Sequence, residues 1–184
     1  MLADHGFTEL KVEADLNRWL ASQGLLTLLP ARSRDPLAAE FEAQRIAPKS
    51  AAFALDPGRV YLHTKRRFAR GRLSDAEAAT LREDLRAALL SLTFEGEPVM
   101  EGVFAAEEIY AGPCLGRAPD LVCLARPGFD LKAKFNRAEV FGRFGRLGAH
   151  TAEGALFSDS RGERPATLAD AGALVLRHFG IAGS

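Results

Sequence analysis

Leu121-Val122-Cys123-Leu124-Ala125, set off by Asp120, is a short and unbroken apolar run. A half-exposed strand alternates apolar and polar residues, whereas an uninterrupted run belongs to a strand covered on both faces. Such a strand needs other layers around it, and the chain supplies helical signals for them. Ser74 is followed three residues later by Glu77, the pairing of a capping box, and Leu81, Leu85, Ala88, Leu89 and Leu92 recur on one helical face. This spacing predicts a helix over 75–92. Leu10, Val12, Leu16, Trp19 and Leu20 give a second helical spacing, closed by Gly24 where a terminal glycine belongs, so a helix is predicted over 9–24. A third is predicted over 167–179, with Gly180 just past its end.

Asp56-Pro57-Gly58 is a strong turn signal between two short apolar segments, and predicts strands over 51–55 and 60–63. Residues 99–110 mix Val, Phe, Ile and Tyr and are expected to be extended in part; 154–158 reads as a further strand. Residues 30–50 carry three prolines and little periodicity, which predicts mostly loop with a short helix near 37–43. Strands alternating with helices predict an α/β fold, and the hairpin makes its sheet mixed rather than purely parallel. The 184 residues fit a single domain over 1–184.

Charge excludes some partners. The 24 basic residues balance 24 acidic ones, so nothing in the net charge calls for nucleic acid or an anionic membrane. The longest apolar stretches, such as 166–176, fall short of a membrane span, and the amino terminus has neither the basic nor the apolar region of a secretory signal. Cys114 and Cys123 stand nine apart without a Cys-x-x-Cys motif, which predicts two reduced thiols and a cytoplasmic protein.

The candidate chemistry lies near both ends. Asp4-His5-Gly6 opens the chain, and His150 sits among Gly142, Gly145, Gly148 and Gly154. A carboxylate and two imidazoles suit a borderline-soft divalent ion such as zinc. An adjacent Asp and His at the end of a strand would occupy the place where open α/β sheets put their sites. His150 would then ride on a glycine-rich loop that swings onto the metal. The plainer readings are a polar terminal tail and a surface histidine in a flexible loop. Lys65-Arg66-Arg67-Phe68-Ala69-Arg70-Gly71-Arg72 is expected to be a solvated turn, although its cations could meet a phosphorylated substrate. His63 and His178 are expected to be structural. No Gly-x-Ser-x-Gly, Walker or dinucleotide glycine pattern occurs.

Taken in order, Asp4-His5-Gly6-Phe7-Thr8, Leu16-Asn17-Arg18-Trp19-Leu20, Val60-Tyr61-Leu62-His63, Glu107 to Pro113, Ala118-Pro119-Asp120-Leu121-Val122 and Gly148 to Leu156 resemble the type I phosphodiesterase/nucleotide pyrophosphatase family of the alkaline phosphatase superfamily. The resemblance implies two divalent ions, ordinarily zinc, clamping the oxygens of an in-line displacement at phosphorus. It implies that Asp4 and His5 hold the ion that activates the nucleophile and that His150 helps to hold the other. In the family the Thr or Ser nucleophile, a first metal-binding Asp and an Asp-x-x-x-His motif all precede the Asp-His-Gly segment, whereas three residues precede Asp4 here. The expectation is therefore a truncated alkaline-phosphatase-like fold lacking its amino-terminal strands, with no catalytic nucleophile, no assignable substrate-binding residue and no activity alone. The intact relative would act on a phosphoester or nucleotide. The rival expectation is a non-catalytic module that self-associates or complements an amino-terminal partner chain. A third, RNA binding through 65–72, would show steep salt dependence.

Overall fold

The computed structural model describes residues 2–151, 154, 156–157 and 165–181. In chain order its strands and helices are β1 (Leu2–Ala3), β2 (Gly6–Glu9), β3 (Val12–Asp15), α1 (Leu16–Ser22), α2 (Pro36–Ala39), β4 (Ala52–Asp56), β5 (Arg59–Leu62), α3 (Asp75–Leu90), β6 (Thr93–Phe94), β7 (Glu97–Pro98), β8 (Met100–Ala105), α4 (Ala106–Ile109), β9 (Leu121–Ala125), β10 (Phe129–Lys132), β11 (Phe141–Gly142), β12 (Gly148–Thr151), β13 (Leu156–Phe157) and α5 (Leu168–His178). The chain divides into two compact units, Lys11–Gly145 and Met1–Leu10 with Arg146–Ser184.

In Lys11–Gly145, β3 lies between a parallel β10 and an antiparallel β11, forming a mixed sheet. A second sheet, β4-β5-β9-β8, is antiparallel throughout. Helix α3 packs its Leu85 and Leu89 into one core with Leu16, Leu20, Val60 and Leu121. The capping box forms as the sequence requires: Ser74 accepts from the Glu77 amide and Glu77 reaches back to the Ser74 amide at 2.8 Å. Buried Asn17 joins helix to sheet, donating to the Ala54 carbonyl at 2.9 Å and accepting from the Ala54 amide at 2.8 Å. The other unit holds two antiparallel pairs, β1 with β13 and β2 with β12, and the helix α5.

Several expectations need correction. The helix expected over 9–24 begins only at Leu16, because Val12–Asp15 is recruited as the central strand of the mixed sheet. Asp15 then caps α1, accepting from the Arg18 amide at 2.8 Å, and Gly24 does follow the helix with φ of 72°. β9 is a strand but not one covered on both faces: Leu121 and Cys123 are buried, whereas Leu124 is 50% exposed. Its sheet is antiparallel, and the exposure on β9 is local to the strand's end at Leu124. The 30–50 segment is more ordered than its prolines suggest. Glu42 accepts from the Ser33 amide at 2.7 Å, and Arg45 donates to the Phe135 carbonyl at 2.8 Å.

The hairpin and the helices at 75 and 168 stand where the pattern put them. Both cysteines are free thiols, and burial pushes Cys123 up to about 12. Among the described residues no helix is long and apolar enough to cross a membrane.

Candidate metal centre

β1 delivers Asp4 and His5 directly after its last residue, held by the pairing of Leu2 with Phe157 and Ala3 with Leu156. The chain then turns into β2, which pairs residue for residue with β12, so that His150 lies opposite Phe7. The expected swinging loop is thus a strand. An ordinary cross-strand ladder fixes the position of the imidazole. Gly154 follows with φ of 88°, and a Cβ there would come within 3.2 Å of the Gly6 Cα, so this turn suits glycine alone.

The three sequence-nominated residues do come together. His5 and His150 stack face to face, with ring centroids 3.8 Å apart and planes inclined by 22°. Phe7, unmarked as a site residue by any motif, stands edge-on to both rings at 5.1 Å. Phe7 is placed by the β2–β12 register, in which it lies directly opposite His150. His5 Nδ1 lies 3.0 Å from the Gly6 carbonyl, where a proton on it donates, leaving Nε2 as the free acceptor. That Nε2 is 3.6 Å from Asp4 Oδ1.

The donor types fit a zinc-type ion, and so does the spacing of one pair. Two donors about 2.1 Å from a tetrahedral ion are roughly 3.4 Å from one another, close to the separation of Asp4 and His5. His150 does not join them on the same ion. Imidazole lone pairs lie in the ring plane, so two nearly parallel stacked rings aim side by side rather than at one point. Among the described residues no group of three or more His, Cys, Asp or Glu side chains is arranged to hold a metal ion. The arrangement is therefore two donors plus an adjacent third, short of a complete centre, and it defines no metal-dependent step.

The remaining nominated groups do other work. His63 is buried, with Nδ1 3.0 Å from the Ser50 carbonyl and its ring against Phe53 and Phe68. His178 ends α5 and stands edge-on to Phe179 at 5.0 Å. The cationic stretch is a turn whose Lys65, Arg66, Arg70 and Arg72 are exposed as expected, with Arg67 the exception among its cations. Arg67 is half-buried, bonded to the Ala118 carbonyl at 2.6 Å and paired with Asp120 at 3.3 Å.

A model of the type I phosphodiesterase / nucleotide pyrophosphatase family matches residues 1–152. The chain belongs to that family. Its α/β architecture, with mixed and antiparallel sheets flanked by helices, is consistent with part of an alkaline-phosphatase-like fold. The matched span takes in Asp4, His5 and His150, while α5 lies beyond it. Membership makes this a phosphodiesterase/pyrophosphatase-type domain, of a family that acts as hydrolases on phosphoester or nucleotide substrates and generally uses divalent metals. No curated protein and no solved structure matches the chain.

Proposed function

We propose that this chain contributes Asp4, His5 and His150 to a metal-dependent phosphoester hydrolase centre, with zinc as the natural ion, and that the 184-residue polypeptide does not turn over phosphodiesters by itself. The observation that carries the reading is the stacking of His5 on His150, brought together from opposite ends of the family match. The separation of Asp4 and His5 supports assigning both to one ion, and we assign His150, stacked on His5, to a second. Silence follows from the lack of a nucleophile. Thr8, the hydroxyl nearest to Asp4 and His5 in sequence, lies within β2 rather than opening a helix. We place the protein in the cytoplasm, where two unpaired thiols stay reduced.

Hydrolysis of bis(p-nitrophenyl) phosphate with added zinc tests the reading. The expected rate is the buffer rate. Turnover that disappears in His150→Ala would overturn the silent assignment while supporting the ligand assignment.

A second reading draws on different residues. Phe7 and Leu147 are 73% and 83% exposed, at the two-stranded sheet of β2 and β12. These features favour an assembly role, through self-association or a complementing chain. Light scattering decides it: a dimer dispersed by Phe7→Ser supports that role, and a monomer at all concentrations removes it.

A further inference from the structure

The unused cations of the 65–72 stretch sit on a turn built to hold them still. The amide of Lys65 donates to the Leu73 carbonyl at 2.9 Å, that of Phe68 to Thr64 at 3.0 Å, and those of Arg72 and Leu73 both to His63. Gly71 passes so close to this turn that a Cβ on it would lie 1.9 Å from the Thr64 carbonyl oxygen. Only glycine permits that approach, which fixes the backbone carrying Arg66 and Arg67, while the Arg66 side chain is 75% exposed.

Arg66 and Arg67 share a cavity of about 360 Å³ with Arg82 of α3, Thr64, Glu107 and Asp120, and Leu115 and Gly116 also line it. Three guanidiniums and two carboxylates line it, and Asp75 and Glu83, outside the lining, pair with Arg66 and Arg82. Several donors are also left over. Arg66 spends Nε on Asp75 at 3.3 Å; Arg82 spends Nε on Glu83 and one Nη on Glu107 at 2.8 Å. Arg67 uses its two Nη atoms on Asp120 and the Ala118 carbonyl. A guanidinium has five N–H donors, so each arginine keeps N–H groups without a partner among the described residues. The rings of Tyr61 and Phe68 lie 5.0 and 5.7 Å from the Arg67 guanidinium and limit its alternatives. Asp120 is pushed above its ordinary carboxyl value chiefly by burial, with Arg67 and Arg82 both pulling it back, so the two cations act on one shared space.

We propose that the cavity lined by Arg66, Arg67 and Arg82 binds a phosphate-type anion, free or as the end group of a larger molecule. Spare N–H donors on planar guanidiniums match tetrahedral oxyanions in geometry and charge. The volume exceeds what inorganic phosphate needs and is in the range of small-molecule sites. Nothing in this assignment uses Asp4, His5 or His150, so it stands or falls apart from the hydrolase reading.

Calorimetric titration of the 184-residue protein with inorganic phosphate, adenosine 5′-monophosphate and adenosine tests it. Saturable binding of phosphate or the nucleotide is expected, and it should weaken by about tenfold or more in Arg66→Ala/Arg82→Ala, the loss of one charge-assisted hydrogen bond or more. Arg34→Ala, outside the cavity, should bind as the unchanged protein does, and circular dichroism checks that each variant is folded. Tighter binding of the nucleotide than of phosphate would show that the anion arrives on a larger molecule. Absence of saturable binding, binding of adenosine equal to that of the nucleotide, or undiminished affinity in the folded double variant would each overturn the proposal.

Discussion

Leu16, Leu20, Leu89 and Leu121 of Lys11–Gly145 are almost wholly withdrawn from water, and most of the buried apolar residues belong to this one core. In Met1–Leu10 with Arg146–Ser184, the buried apolar side chains among the described residues are Leu10, Ala149 and Ala171. Here order comes from strand pairing and from the stacked rings of His5, Phe7 and His150. The contrast separates two jobs. One unit is a packed scaffold whose stability rests on apolar burial. The other carries exposed and half-exposed polar side chains on and between short strands, Asp4, His5 and His150 among them.

The sharpest test of the contrast is a cavity in the scaffold. Leu89 of α3 has no exposed surface and sits in the shared core. Leu89→Ala should cost about 2–5 kcal/mol, the range for deleting a buried leucine side chain with incomplete collapse around the hole. Urea unfolding followed by circular dichroism measures it. A loss below about 1 kcal/mol would mean that the core is not packed as described.

A smaller effect should appear in the pH dependence of the same unit. Burial raises the Asp15 carboxyl above its ordinary 3.8, against the lowering by the Arg18 and Lys134 amides, the Arg137 charge and the Asn17 amide. The folded chain therefore holds this proton to higher pH than the unfolded chain. Between 3.8 and the raised value the native state binds more protons, so this group's contribution to stability falls as pH rises and stays reduced above that window. Asp15→Asn should remove that component of the slope. It should also cost about 1–2 kcal/mol at neutral pH, because an amide nitrogen would face the Lys134 N–H that Oδ2 now accepts. Urea midpoints across the acid range decide it, and an unchanged slope in the variant would show that Asp15 is not the group responsible.

What the sequence disclosed follows the same division. The capping box at Ser74 and the turn at Asp56-Pro57-Gly58 are local and decide their own conformation, and both appear in the structure. β3 was illegible because its residues fit a helix in isolation. Pairing with β10 and β11, more than a hundred positions away, makes them a strand, as tertiary context routinely overrides propensity. The apolar run at β9 misled in the opposite sense, since Leu124 faces outward from an antiparallel sheet. At the candidate site the motif named Asp4, His5 and His150, and the structure places them together. It could not reveal that His150 rides on a strand, nor that Phe7 edges both imidazoles, because each depends on the β2–β12 register. The arginine cavity was visible only as a cationic run, since its third guanidinium comes from α3.

The least disruptive change to the fold should be the most informative about the site. His150 is exposed on β12, and its ring contacts are with His5 and Phe7, of which Phe7 is itself largely exposed. Deleting a side chain in so open a setting creates no cavity, so His150→Ala should change the unfolding free energy by about 0.5 kcal/mol or less. Zinc retained after gel filtration and measured by atomic absorption should nevertheless fall in the variant, if His150 is a ligand as proposed. The two readouts separate ligand from spacer. A stability loss as large as that of Leu89→Ala would erase the contrast between the units, making the stacked rings a second core. Unchanged stability with unchanged zinc would instead keep the contrast and remove His150 from the metal centre, leaving Asp4 and His5 as the paired donors.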